Sequence, residues 1–151
     1  MKPCGHPIAT LLPLAPPMIL LDAVERYDES RLIATVTITD ASLFARTDGV
    51  PSHIGLEYMA QACGAFAGAA ALDRGLPVRI GFLLGTRNLR LQVPWFPVGQ
   101  RLAIGVTLLY VDEAMTAFEC DIRIDDAVVA AAQLTLYQPD DPIAFIRESV
   151  A

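Results

Sequence analysis

Eleven successive residues, Ala62 to Leu72, carry no polar side chain, and no proline interrupts the chain from His53 to Arg74. A helix over this stretch is apolar on every side, so it is stable only where other parts of the chain surround it. Its glycines and alanines keep it slim, which lets neighbouring backbone approach closely. Gly75 followed by Pro77 provides a stop, and Ser52 stands where an N-cap is expected. Glu57, near the start of this helix, then needs an explanation. A carboxylate carried into apolar surroundings must be paired, neutral or functional.

What surrounds the helix reads as strands. Met18–Val24 is apolar enough for a buried strand, and Arg31–Thr39 alternates with β-branched residues at period two. The two are joined through Asp28-Glu29-Ser30 as a hairpin. Asp40–Pro51 is a loop with a turn at Asp48-Gly49. After the helix come strands at about Arg79–Val93, Arg101–Val111, Ala114–Ile124 and Val128–Tyr137, and residues 140–149 suit a short helix. One all-apolar helix among antiparallel strands predicts an α+β fold, a curved antiparallel sheet wrapped around a long central helix, in a single domain over residues 1–151. A single curved sheet leaves an edge and a face to cover, so a dimer or higher homo-oligomer is expected.

Composition narrows the setting. Residues of hydrophobic type make up 54% of the chain and the mean hydropathy is +0.44, which points to apolar surface buried between subunits. A membrane span needs roughly 20 apolar residues. The central run is too short, being bounded by Glu57 and Gln61 on one side and Asp73-Arg74 on the other. Prolines 13, 16 and 17 break the apolar N-terminal stretch, and no A-x-A pattern follows, which argues against a signal peptide. Three widely spaced cysteines indicate neither a disulfide framework nor a metal site, and a cytoplasmic setting is the simplest. A net charge of −6 argues against nucleic acid. Between Arg74 and Tyr110, however, there is no acidic residue, while Arg74, Arg79, Arg87, Arg90 and Arg101 all lie there. Such a segment is either a solvated sheet face or a basic patch for a phosphate or an acidic carrier protein.

Four strings carry a family resemblance: Leu12-Pro13-Leu14-Ala15-Pro16-Pro17-Met18-Ile19-Leu20-Leu21-Asp22, Gly55-Leu56-Glu57-Tyr58-Met59-Ala60-Gln61, Ile80-Gly81-Phe82-Leu83-Leu84-Gly85 and Tyr137-Gln138-Pro139-Asp140-Asp141. In this order they resemble the hotdog-fold β-hydroxyacyl-acyl-carrier-protein dehydratases, especially the divergent branch of aryl-polyene-type biosynthetic clusters. The resemblance implies a hotdog homodimer and a (3R)-hydroxyacyl thioester on a phosphopantetheine arm, delivered by acyl carrier protein in fatty-acid or polyene-type biosynthesis. It implies syn elimination of water with neither metal nor cofactor. In the typical enzymes a loop histidine and a helix carboxylate share the proton transfers. Glu57 matches the carboxylate. No histidine lies between Leu43 and Pro51, where the family's H-F-P-G loop would be, and the L-P-H string reads Leu12-Pro13-Leu14 here.

His53, four residues before Glu57 and on the same face of a helix, is the imidazole positioned to assist. The catalytic candidates are therefore Glu57 and His53. The substrate-binding candidates are Gly55 and Gln61 on the helix, Gly81 and Gly85 where close approach is possible, and Arg79, Arg87 and Arg90 for the phosphate or carrier. On a regular strand Arg87 and Arg90 face opposite ways, so they line one surface only if a bulge intervenes. Two alternatives stand beside the dehydratase: a catalytically silent subunit that shapes the tunnel of a heteromeric dehydratase, and a hotdog acyl-thioesterase.

Overall fold

Alternation along the sequence becomes alternation in burial. The computed structural model describes residues 1–150. Its elements run in the order Lys2–Pro3 (β1), Ile8–Leu11 (α1), Ala23–Tyr27 (β2), Arg31–Thr37 (β3), Val50–Pro51 (β4), Gly55–Asp73 (α2), Phe82–Leu91 (β5), Trp95–Phe96 (β6), Arg101–Asp112 (β7), Met115–Ile124 (β8), Ala127–Tyr137 (β9) and Pro142–Val150 (α3). Leu32, Ala34 and Val36 of β3, Leu102, Ile104 and Val106 of β7, and Phe118, Cys120 and Ile122 of β8 are all buried. The residues between them point to the other face, as a pleated strand requires, and of these Thr35 and Gly105 are buried as well. Seven strands form one antiparallel sheet in the order β1-β2-β3-β7-β8-β9-β5, and β4 pairs separately with β6. Helix α2 packs on the inner face, with Phe66 meeting Phe118 edge to face at 5.4 Å between ring centroids. The expected sheet and central helix are both present.

Three details differ from the expectation. Met18–Leu21 is not a strand. The Leu20 N–H donates to the Gln61 Oε1 at 2.9 Å, so this segment lies on α2, and the ladder begins only at Ala23. Lys2–Pro3 and the β4–β6 pair are too short for any period to reveal them. Ser52 does not cap the helix with its side chain. It opens a 3-10 turn, Ser52–Ile54, and its own N–H donates to the Pro94 carbonyl at 3.0 Å. The stop is as expected: Gly75 sits at φ 70°, its N–H donates to the Leu72 carbonyl, and the Leu76 N–H donates to the Ala71 carbonyl. That is a complete Schellman motif.

The C-terminal end of α2 is an unfavourable place for Asp73, because the helix dipole is negative there. Three groups offset it. The Tyr27 hydroxyl donates to Asp73 Oδ2 at 2.7 Å, His6 Nε2 lies 3.0 Å from Oδ1, and Lys2 Nζ lies 3.3 Å from Oδ2. The Tyr27 hydrogen bond, then that of His6, hold the Asp73 carboxyl down at about 2, while burial and Asp73 push the Tyr27 phenol up to about 12. A carboxyl lowered in the folded state adds stability above its unfolded value, near about 4, and that stability is lost as pH falls through the folded value. In Asp73→Asn the decline in urea midpoint between about pH 5 and pH 2 should therefore be shallower than in the wild type. Parallel declines would show that the cluster contributes nothing to acid stability.

Candidate active site

An all-apolar helix wrapped by a sheet leaves one side where the sheet does not close. Here that side is a groove of about 870 Å³ along α2, walled opposite by the Leu12–Leu14 loop, the start of β5 and the adjoining ends of β7, β8 and β9. It runs from Glu57 to Arg74, seventeen residues apart and so about 25 Å along the helix. Small residues of α2 make up most of its helical wall.

Glu57 lies in the first turn of α2, where the positive end of the helix dipole favours a carboxylate. Its side chain is exposed to the groove in the protomer, and Gln61 Nε2 donates to its Oε1 at 3.2 Å. Gln61 is itself buried. Its Nε2 also donates to the Met18 carbonyl at 2.7 Å, and its Oε1 accepts from Leu20. Every polar atom of this amide is thus used to clamp the Met18–Leu20 segment onto the helix and to hold Glu57 in place. Gly81 also lines the groove, beside Gln138. Arg79 lines it too, but is already engaged: Nη1 donates to Asp140 Oδ1 at 2.8 Å and Nη2 to the Gln138 carbonyl at 3.2 Å.

The other candidates lie elsewhere. His53 is exposed on the 3-10 turn, outside the groove lining, and makes no hydrogen bond to Glu57 among the described residues. Gly55 is buried, and a Cβ there would come within 2.9 Å of Ile122 Cδ1, so its position serves helix–sheet packing. Gly85, Arg87 and Arg90 lie on β5 away from the groove. A bulge does intervene: Asn88 adopts φ 55°, and Arg87 and Arg90 pair with Gln133 and Ala131, two residues apart on β9. Both arginines therefore share the outer face of the sheet, opposite α2.

Groove residues that the sequence does not single out include Phe118 and Thr116. The inward alternation of β8 is the signal that marks Phe118. Burial, then the neighbouring Cys120 thiol 3.5 Å away, pushes the Cys63 thiol well up, which leaves it a core residue rather than a nucleophile. Burial, with the charge of Asp22 behind it, pushes the Tyr58 phenol up to about 12, so Tyr58 stays protonated at neutral pH.

Residues 6–147 match the model of the ApeP-like family, described as ApeP dehydratase. The chain belongs to the ApeP-like dehydratase family. Among solved structures, "The Dehydratase Heterocomplex ApeI:P from Xenorhabdus doucetiae" matches at 33% identity and TM-score 0.89, covering 95% of this chain and 97% of that one. A hypothetical thioesterase with coenzyme A from Streptococcus pneumoniae matches at 13% identity and TM-score 0.61, covering 77% and 84%. The E. coli PaaI protein of the phenylacetic acid degradation operon matches at 13% identity and TM-score 0.61, covering 77% and 82%. These two relatives share the fold alone. No curated protein matches the chain significantly. The ApeP-like chain is thus a divergent hotdog-fold dehydratase of the aryl-polyene type, as the resemblance implies. No helix among its described residues is long and apolar enough to cross a membrane.

Proposed function

We propose that this ApeP-like chain dehydrates a (3R)-hydroxyacyl thioester held on the phosphopantetheine arm of an acyl carrier protein, with the acyl chain lying in the groove and Glu57 at its reacting end. The observation that carries this reading is the placement of Glu57 by Gln61 on the wall of an apolar groove long enough for an extended chain. In the elimination the C2 proton goes to a base, the C2=C3 bond forms, the C3–O bond breaks, and an acid protonates the departing hydroxyl, which leaves as water. Glu57 serves as one member of this acid–base pair. His53, on the turn that leads into the helix, is the candidate for the other, from the same or the facing copy.

A second reading is favoured by the exposure of His53 outside the groove and by the heteromeric state of the ApeI:P structure. In it, the chain shapes the tunnel of a complex whose partner supplies the histidine chemistry. The two part on one experiment: enoyl formation from a carrier-bound 3-hydroxyacyl thioester, with the chain alone and with a histidine-bearing hotdog partner added. Turnover by the chain alone supports the first reading; turnover only in the mixture supports the second. The thioesterase alternative draws only on neighbours that share the fold. Three free cysteines fit a cytoplasmic setting.

The partner surface proposed is β5. It pairs with β9 on one side only, and Leu83, Leu84, Leu89 and Leu91 along it are each about 40–50% exposed. A ten-residue edge strand with four exposed leucines is a template for a second strand, and pairing with another hotdog chain would also cover the groove. Changing Leu89 and Leu91 together to lysine should shift the sedimentation profile to monomer and lower turnover in parallel. A variant that stays oligomeric would remove β5 from the interface.

A further inference from the structure

Three glycines lie within α2 along its buried or groove faces, and they differ in what holds them small. A Cβ on Gly55 would meet Ile122 Cδ1 at 2.9 Å, and one on Gly68 would meet the Leu11 carbonyl oxygen at 2.2 Å. Packing within the protomer therefore demands both. Gly64 is different. A Cβ there would meet only the end of the Leu12 side chain, at 3.4 Å, an ordinary contact. Helical geometry does not ask for glycine at this position either, since glycine is a poor helix former.

What Gly64 does share is the groove. It lies on the same face as Glu57, seven residues on and so about 10 Å further along the helix, with Ala60 and Ala67 on either side and Leu12 across from it. We infer that Gly64 is a specificity-determining residue that keeps the groove open beyond Glu57, so that the chain admits long acyl thioesters. This rests on the acyl-thioester reading above. A short acyl chain seated at Glu57 stops before this point, whereas a long one must run over Gly64, alongside Leu12. A side chain at position 64 would project across that passage.

The test compares wild type, Gly64→Ala and Gly64→Leu on 3-hydroxybutyryl and 3-hydroxydodecanoyl pantetheine thioesters, and on the matching non-hydrolysable thioethers as equilibrium ligands. In Gly64→Leu the long-to-short ratio of kcat/KM should fall about 30-fold, in the range that filling an apolar pocket produces. The long thioether should weaken selectively as well. Gly64→Ala should raise Tm by about 3 °C, because it replaces a helix-interior glycine without a clash, and it should shift the ratio only slightly. An unchanged ratio, or an equal loss for both chain lengths, would overturn the inference. So would a change of sedimentation profile in Gly64→Leu, which would assign the glycine to a subunit contact. If the wild type turns over neither thioester yet Gly64→Leu still loses the long thioether selectively, the groove assignment stands and the catalytic reading fails.

Discussion

Glu57→Gln is expected to lower turnover by about three orders of magnitude, the range contributed by a positioned general acid or base, while leaving fold and oligomeric state intact. The amide has nearly the same shape as the carboxyl and sits where Gln61 Nε2 now donates to Glu57 Oε1 at 3.2 Å. An amide oxygen can accept that hydrogen bond, so the Met18–Leu20 clamp survives. What the amide cannot do is take up or release a proton. The comparison therefore separates chemistry from structure: far-ultraviolet circular dichroism, Tm and sedimentation should match wild type while kcat collapses. Loss of stability along with activity would mean that Glu57 serves the fold. Full activity in the variant would remove it from the mechanism.

Gly68→Ala should be strongly destabilising although it lies far from the reacting groups. The added methyl would lie 2.2 Å from the Leu11 carbonyl oxygen and 3.0 Å from its carbon. These are backbone atoms of α1, which rests on α2 at this point, and they cannot rotate away as a side chain would. Either α1 moves off the helix, taking the fully buried Leu11 with it, or α2 shifts within the sheet. Overpacking of this kind costs about 3 kcal/mol, and at this chain length that lowers Tm by about 10 °C. Equilibrium urea unfolding measures it directly. A loss below about 0.5 kcal/mol would show that α1 is free to move. The contrast with Gly64→Ala, one helical turn earlier, is the sharper form of the prediction. The same substitution in the same helix should change sign because one glycine faces backbone and the other faces the groove.

How much of this was legible in the sequence depends on the range of the physics involved. The central helix follows from an unbroken apolar run without proline, and β3, β7 and β8 follow from the alternation that burial of one face imposes locally. Glu57 and Gln61 stand out because they are polar residues in an apolar run. Met18–Leu21 misleads because a continuous apolar run looks the same whether it joins a ladder or lies against a helix. Its hydrogen bond to Gln61 spans 41 residues, and nothing local announces it. Arg79 illustrates the same limit. As part of an acid-free segment it reads as an open basic patch, yet Asp140, 61 residues away, pairs with it. The shared face of Arg87 and Arg90 rests on a single positive φ at Asn88, which sequence pattern does not encode.

The proposed reaction removes water from, and can return it to, C3 of an intact thioester in the groove at Glu57. The most direct measurement is to incubate the protein, with its hotdog partner if one is required, with an enoyl thioester in heavy-oxygen water and to locate the label by mass spectrometry. Dehydration run in reverse places the label on the C3 hydroxyl of a thioester that still carries its thiol, and Glu57→Gln should abolish that product. Label appearing instead in a free carboxylate, with release of the thiol, would identify a thioesterase and contradict the dehydratase reading.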